Sequence, residues 1–248
     1  AGQGTIGLEI LDQMPDVEAV IVPIGGGGLI SGVAFAIKTL RPEIKVYGVQ
    51  SSGAPSMAAS LQEGAIQHLN NVSTIADGIA VKEPGVNTFE LCNRYVDEVV
   101  TVSDEEIAAA ILALIEQQKL VAEGAGAVSV AAAMFNKVPI KGKKTVCLIS
   151  GGNIDVNTLS RVITRGLSKS GRNYSFIIDL DDKPGQLSGV CNVVAQQGGN
   201  VISVAHERIN SSSAINGCTI RMELETRDHD HIKSIREALT GAGYKVKN

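Results

Sequence analysis

Short apolar runs rich in β-branched residues alternate with stretches whose apolar residues return every three or four positions, which predicts a chain of strands and helices. Residues 17–23 (V-E-A-V-I-V-P) and 44–49 read as buried strands, and 29–40 between them as an amphipathic helix ended by Arg41-Pro42. That β-α-β unit implies a parallel sheet with helices on its faces. Thr5 reads as the N-cap of a first helix reaching residue 13 and broken by Met14-Pro15-Asp16. Residues 56–63 and 88–95 are further helices, and 98–102 is a strand. Ser103 opens another helix because Glu106 completes a capping box, with Ile107, Ile111, Leu114 and Ile115 on one face. The small-residue run 122–127 (A-E-G-A-G-A) leads into a helix ending near Phe135. Residues 143–149 read as a buried strand, Ser150-Gly151-Gly152-Asn153 as a turn at its end, and 157–166 as a helix. Residues 70–85, rich in turn formers, resemble loops that line sites.

After residue 166 the rhythm changes. Residues 167–173 (L-S-K-S-G-R-N) form a polar connector between a domain at 1–166 and another at 174–248. Residues 174–180 alternate as a strand, D-D-K-P-G-Q-L turns into a helix at 185–197, and 201–207 and 218–226 are strands joined by a hairpin loop at 210–216. A helix at 230–239 and a short strand at 244–246 complete a β-α-β-β-α-β order, the ferredoxin-like arrangement.

Four consecutive glycines, Gly25 to Gly28, join the first buried strand to its helix at Leu29. Without side chains the backbone turns sharply, and the helix directs unpaired N–H groups and its positive dipole end into the same loop. Three readings follow: a phosphate or phosphorylated cofactor, a dinucleotide, or a glycine-rich turn without ligand. The dinucleotide is disfavoured, because Ser31 stands where G-x-G-x-x-G needs its third glycine and Gln50, not an acid, follows the second strand. In an open α/β sheet ligands sit at the carboxyl ends of strands, so the loop after Pro23 and the turn after Ile149 are expected to face one crevice.

A formal charge of −4, no basic block and eight Phe or Tyr without Trp leave no footprint for nucleic acid. Cys92, Cys147, Cys191 and Cys218 form no C-x-x-C pair, so four free, mostly buried thiols in a reducing compartment are expected. No run has the length of a membrane span or the form of a signal peptide, and the expected location is cytoplasmic.

With these motifs in place, the chain resembles the serine and threonine dehydratases, pyridoxal-phosphate (PLP) enzymes of fold type II, through A-G-Q-G-T-I-G-L-E-I, V-P-I-G-G-G-G-L, V-Y-G-V-Q, I-A-D-G-I-A-V, A-E-G-A-G-A and S-G-G-N-I-D in that family's order over residues 1–172. Residues 174–248, with D-x-x-P-G-x-L, are similar to an ACT regulatory domain. The implied fold is part of the α/β large domain followed by a ferredoxin-like ACT domain. The resemblance implies that backbone N–H groups of Gly25, Gly26, Gly27, Gly28 and Leu29 hold the PLP phosphate and that Ser150 meets the pyridine nitrogen. It also sets Gly78 beside the cofactor and Glu123 near it. The implied reaction is α,β-elimination, giving 2-oxobutanoate and ammonia from threonine, or pyruvate from serine. An amino-acid effector at Asp181, Pro184, Gly185, Gln186, Leu187 and Asn200, and a homo-oligomer, are also implied.

The family's Schiff-base lysine lies in an S-x-K-x-R-G segment upstream of A-G-Q-G-T. Lys38, Lys45 and Lys82 lack that context and read as solvated surface charges. The chain is therefore expected to be a C-terminal portion, inactive alone, with an open sheet edge or poorly covered apolar face. The alternative is a non-catalytic amino-acid sensor. Related serine racemases bind a cation through acids where this chain has Gln50 and Ser56, so no Mg²⁺ or Ca²⁺ site is expected. His206 reads as a partly buried core residue, His229 and His231 as flanking a helix capped by Asp228 or Asp230, and Asp104, Glu105 and Glu106 as dipole-stabilising acids in a first turn.

Overall fold

The apolar runs pair as parallel strands. β1 (Ala19–Pro23) lies between β2 (Lys45–Ser51) and β4 (Thr145–Cys147), and β2 also pairs with β3 (Glu98–Val102), giving the order β3-β2-β1-β4. The computed structural model describes residues 2–208 and 217–247. It divides into two units, Ala1–Ile163 and Thr164–Asn248. Among the described residues no helix is long and apolar enough to cross a membrane.

β1 is buried at all five positions because helices cover both faces. Alternation sends Ala19 and Ile21 into one core with α5 (Asp104–Ala113) and α6 (Gly124–Met134). Val20 and Val22 enter the other, with α1 (Gly4–Gln13), α2 (Gly28–Leu40), α3 (Ser56–Glu63) and α4 (Val86–Tyr95). Ser103 and Glu106 form the expected reciprocal capping box of α5.

Several local expectations are corrected. Thr5 lies inside α1, its hydroxyl donating to the Gly2 carbonyl at 2.9 Å, and Gln3 is the N-cap residue. The strand expected at 143–149 is three residues long and half-buried, since β4, like β3 at the other end of the order, is an edge of the sheet. Ile107, Ile111 and Leu114 do enter one core with Ile115 packed against it, but from Leu114 to Gln118 the helix is a π-helical turn, ended by Lys119 at φ 57°. α7 (Val156–Lys169) runs into the polar stretch expected as a connector and ends where Gly171 adopts φ 71°.

Lys38 is not a solvated charge. Its ammonium lies 2.6 Å from Asp97, with side-chain exposures of 14% and 18%. Asp97 also accepts from Lys45 Nζ and the Val46 N–H, each at 2.8 Å, fastening the last turn of α2 to the start of β2.

In the second unit β5 (Asn173–Asp181) pairs antiparallel with β7 (Gly217–Glu225) and β8 (Lys245–Lys247), and β6 (Asn200–Glu207) with β7, in the order β6-β7-β5-β8. With α8 (Gln186–Gln196) and α9 (His229–Gly241) this is the split β-α-β topology. Phe176, Ile178 and Leu180 of β5 and Ile220, Met222 and Leu224 of β7 pack with Val190, Val194, Ile235 and Leu239 of the helices. The hairpin loop expected at 210–216 lies outside the described residues. His206 is exposed, because all of β6 is an exposed edge strand, so the core reading of that residue is corrected. His231 is the buried histidine: its Nδ1 accepts from the Arg227 N–H at 3.1 Å and its Nε2 meets the Gln197 carbonyl at 2.8 Å, which fits a neutral ring protonated on Nε2. Asp228 caps α9 through the His231 N–H, and His229 bonds the Lys169 carbonyl.

Burial pushes the Asp97 carboxyl up, but the two lysines and the Val46 N–H outweigh it and hold the group below its ordinary 3.8. A depressed folded value contributes stability above the unfolded pKa that disappears as pH falls through the folded one. Asp97→Asn is therefore expected to cost about 2 kcal/mol at neutral pH. In denaturant titrations its deficit should shrink as the solution is acidified below 3.8; equal midpoints for variant and parent at neutral pH would refute this role.

Candidate functional site

The bend after β1 is shaped by two hydroxyls. Gly27 adopts φ 93°, and a Cβ there would lie 2.7 Å from Met57 Cε and 2.9 Å from Thr88 Cβ, so the position demands glycine. Thr88, on α4, shares its one hydroxyl proton between the Gly26 carbonyl at 2.5 Å and the Gly85 carbonyl at 2.9 Å. Ser31, on α2, donates to the Gly27 carbonyl. In a trans peptide the C=O and N–H point opposite ways. Holding the carbonyls of Gly26 and Gly27 back therefore turns the N–H groups of Gly27 and Gly28 outward at the start of α2, where the helix dipole is positive. Sequence reasoning missed Thr88, which is 62 residues beyond Gly26; the only local signal was a hydroxyl residue near the start of a helix.

Both glycine turns open on one cavity of about 460 Å³, lined by Gln3, Ile6, Gly28, Leu29, Leu148, Ile149 and Ser150. That volume suits a small cofactor. A Cβ at Gly28 would meet nothing within 4 Å, so open space lies beyond that backbone. Among the described residues, those of the lining include no acid to repel an anion and no lysine. Lys38 and Lys45 are occupied with Asp97, and Lys82 is exposed.

The remaining residues of the expected site form a layer beside this cavity and do not line it. A Cβ on Gly25 would lie 3.2 Å from Ile79 Cα and 3.6 Å from the Gly78 carbonyl, so the bend abuts the 3-10 turn Asp77–Ile79. The Glu123 carboxylate packs over Gly151, where any Cβ would overlap it, and 3.5 Å from where a Cβ of Gly78 would stand. The Glu123 N–H donates to the Gly151 carbonyl at 3.1 Å, and Gly126 lets α6 approach the second turn. Asp104 does more than stabilise a dipole: it accepts from Thr74 Oγ1 at 2.6 Å and from the Ile75 N–H at 3.2 Å, pinning the loop that carries Gly78.

Gln50 and Ser56 are fully buried, and Gln50 Oε1 accepts from the Ala58 N–H at 2.9 Å. All four cysteines are free, Cys92 and Cys218 buried and Cys147 and Cys191 half-buried. Burial pushes the Cys92 and Cys147 thiols up to about 11, so both stay protonated at neutral pH.

In the second unit Asp181, Pro184, Gly185, Gln186 and Leu187 line a cavity of about 370 Å³, with Gly185 at φ 90° as the N-cap of α8. Asn200 does not join them; its amide donates to Glu225 at 3.1 Å.

A sharp glycine bend at the end of a buried parallel strand, facing a second glycine turn across a cavity, is a frame on which α/β folds bind ligands at strand ends. Residues 1–152 match the model of the pyridoxal-phosphate dependent enzyme family, and the chain belongs to that family. It is 54% identical over 247 residues to a protein from Thermotoga maritima named L-threonine ammonia-lyase, a match covering 100% of this chain and 61% of the relative. The processed form of threonine deaminase isoform 2 from Solanum lycopersicum superposes with a TM-score of 0.63 at 42% identity, over 66% of this chain and 48% of that one. Maize serine racemase superposes with a TM-score of 0.60 at 37% identity, over 66% and 53%. The chain thus spans about 61% of the length of the Thermotoga relative.

Gly27→Ala is expected to lose about 2 kcal/mol or more through left-handed strain and overlap. Gly28→Ala, which has room and a helical conformation, should be neutral or slightly stabilising. Thermal melting of the two variants checks the bend: equal losses would contradict its geometry.

Proposed function

We propose that this chain supplies the phosphate cradle and ring contact of a PLP-dependent threonine ammonia-lyase that converts L-threonine to 2-oxobutanoate and ammonia. The observation that carries the proposal is the single cavity lined by Gly28, Leu29 and Ser150. In this reading the N–H groups of Gly25 to Gly28 and Leu29 bind the cofactor phosphate, an anion set against a helix N-terminus and a lining without acids. Bound PLP withdraws electrons from the substrate α-carbon and so acidifies its proton. The Ser150 hydroxyl offers the pyridine nitrogen one neutral hydrogen bond and, unlike a carboxylate, does not hold a proton there. Gly78 would keep backbone, not side chain, beside the cofactor, and Glu123 would supply a carboxylate near it. The reacting lysine belongs to the part of the relatives' length that this chain does not span. Identity to a protein named L-threonine ammonia-lyase favours threonine; serine is the competing substrate.

The second unit, in the same proposal, is an ACT-type regulatory domain of a cytoplasmic homo-oligomer. Its β-α-β-β-α-β order and the D-x-x-P-G-x-L turn lining a cavity support this, with an amino-acid effector held by Asp181, Pro184, Gly185, Gln186 and Leu187.

The test uses the protein extended to the full length of its relatives. It should take up PLP, turn yellow and release ammonia from threonine. Gly28→Ala should raise the PLP dissociation constant roughly tenfold, the equivalent of about 1.4 kcal/mol, with no loss of thermal stability. Ser150→Ala should lower turnover or cofactor affinity more than Ser160→Ala. No PLP uptake by the full-length protein would sink the proposal in favour of a sensor, and equal effects at the two serines would remove the ring assignment.

A further inference from the structure

We propose that Asp182, His206 and Cys218 form a binding site for a borderline-soft divalent cation of the zinc class, a site independent of the cofactor reading of the first unit. One donor atom from each of the three side chains lies within 4.8 Å of the other two. The sheet brings them together from separate strands. Cys218 heads the inward row of β7 that continues with Ile220, Met222 and Leu224. His206 pairs with Ile220 and so stands on that same face, diagonal to Cys218. Asp182 directly follows β5, whose Leu180 pairs with Cys218.

The residue types matter as much as the distances. On β6 the face shared by Val201 and Val204 breaks to an imidazole at His206, at the point where a buried thiol and a carboxylate converge. Breaks in an apolar pattern concentrate at functional sites. Thiolate, imidazole and carboxylate together suit Zn²⁺, whereas Mg²⁺ and Ca²⁺ require oxygen ligands. With the donors within 4.8 Å of one another, each moves in by at most roughly 0.8 Å to reach tetrahedral Zn–ligand distances of about 2.0–2.3 Å.

Asp182, His206 and Cys218 all line the cavity of about 370 Å³, so solvent reaches the ion and fills its fourth position. Arg208 Nε holds Asp182 Oδ2 at 3.1 Å, which orients the carboxylate. Lys183 is engaged with Asp181 at 3.0 Å. On binding, the Cys218 S–H bond breaks, its proton passes to solvent and a sulfur–metal bond forms.

The 248-residue chain, stripped with chelator, should be titrated with Co²⁺ alone and followed by absorbance. One equivalent should bind and produce a near-ultraviolet thiolate-to-cobalt band that Zn²⁺ removes by displacement. Cys218→Ser should abolish the band. His206→Ala, at an exposed position that does not threaten the fold, should weaken Co²⁺ binding roughly tenfold or more. Cys191→Ser should leave band and affinity unchanged. Absence of the band, or a band that survives Cys218→Ser or tracks with Cys191, would overturn the site. PLP uptake by the full-length protein does not depend on any of these results.

Discussion

The first unit depends on one requirement: N–H groups left unpaired at the start of α2 must be displayed at a glycine bend without the chain collapsing onto them. Two hydroxyls meet it. Thr88 and Ser31 take the carbonyls on the back of the bend, and the planar peptide then commits the opposite N–H groups to the open side. Gly27 is the hinge of the arrangement, since only glycine accepts its backbone angles with Met57 and Thr88 so close.

The surrounding packing serves this bend. β1 is locked between two cores by strict alternation, so its carboxyl end is a fixed platform. α2 is held at its far end by Asp97, which gathers Lys38, Lys45 and a backbone N–H in a partly buried cluster. On the other side of β1, small residues at Gly124 and Gly126 let α6 touch backbone directly, drawing the turn at Gly151 to Glu123. Family membership agrees with this frame, and the proposed chemistry uses it as it stands: an anion against a helix end, and a neutral hydroxyl across a cavity.

The second unit is built on the opposite principle. Its sheet is antiparallel, covered by helices on one face, and its edge strand β6 is exposed along its whole length. A neutral histidine, His231, ties the turn at Gln197 to the chain entering α9 and uses both ring nitrogens structurally. His206 is the contrasting case, an imidazole on the exposed edge and beside two other donors.

Much of this was legible in the order of residues, because the signals are local. β-branched runs, the Ser103 to Glu106 box, the four glycines and the change of rhythm after residue 166 each act within a few positions, and they determined the strands, the bend, the parallel unit and the β-α-β-β-α-β unit that follows. The errors lie where neighbours distant in sequence decide the outcome. β4 is half-buried because it ends a sheet, Lys38 is withdrawn from solvent because Asp97 reaches it, and His206 is exposed because β6 has one partner strand. The grip of Thr88 on Gly26, the packing of Glu123 over Gly151 and the meeting of Asp182, His206 and Cys218 were decided by tertiary structure alone. A hydrogen bond or a ligand set across such separations has no periodicity along the chain; it exists only once the sheets have set their registers.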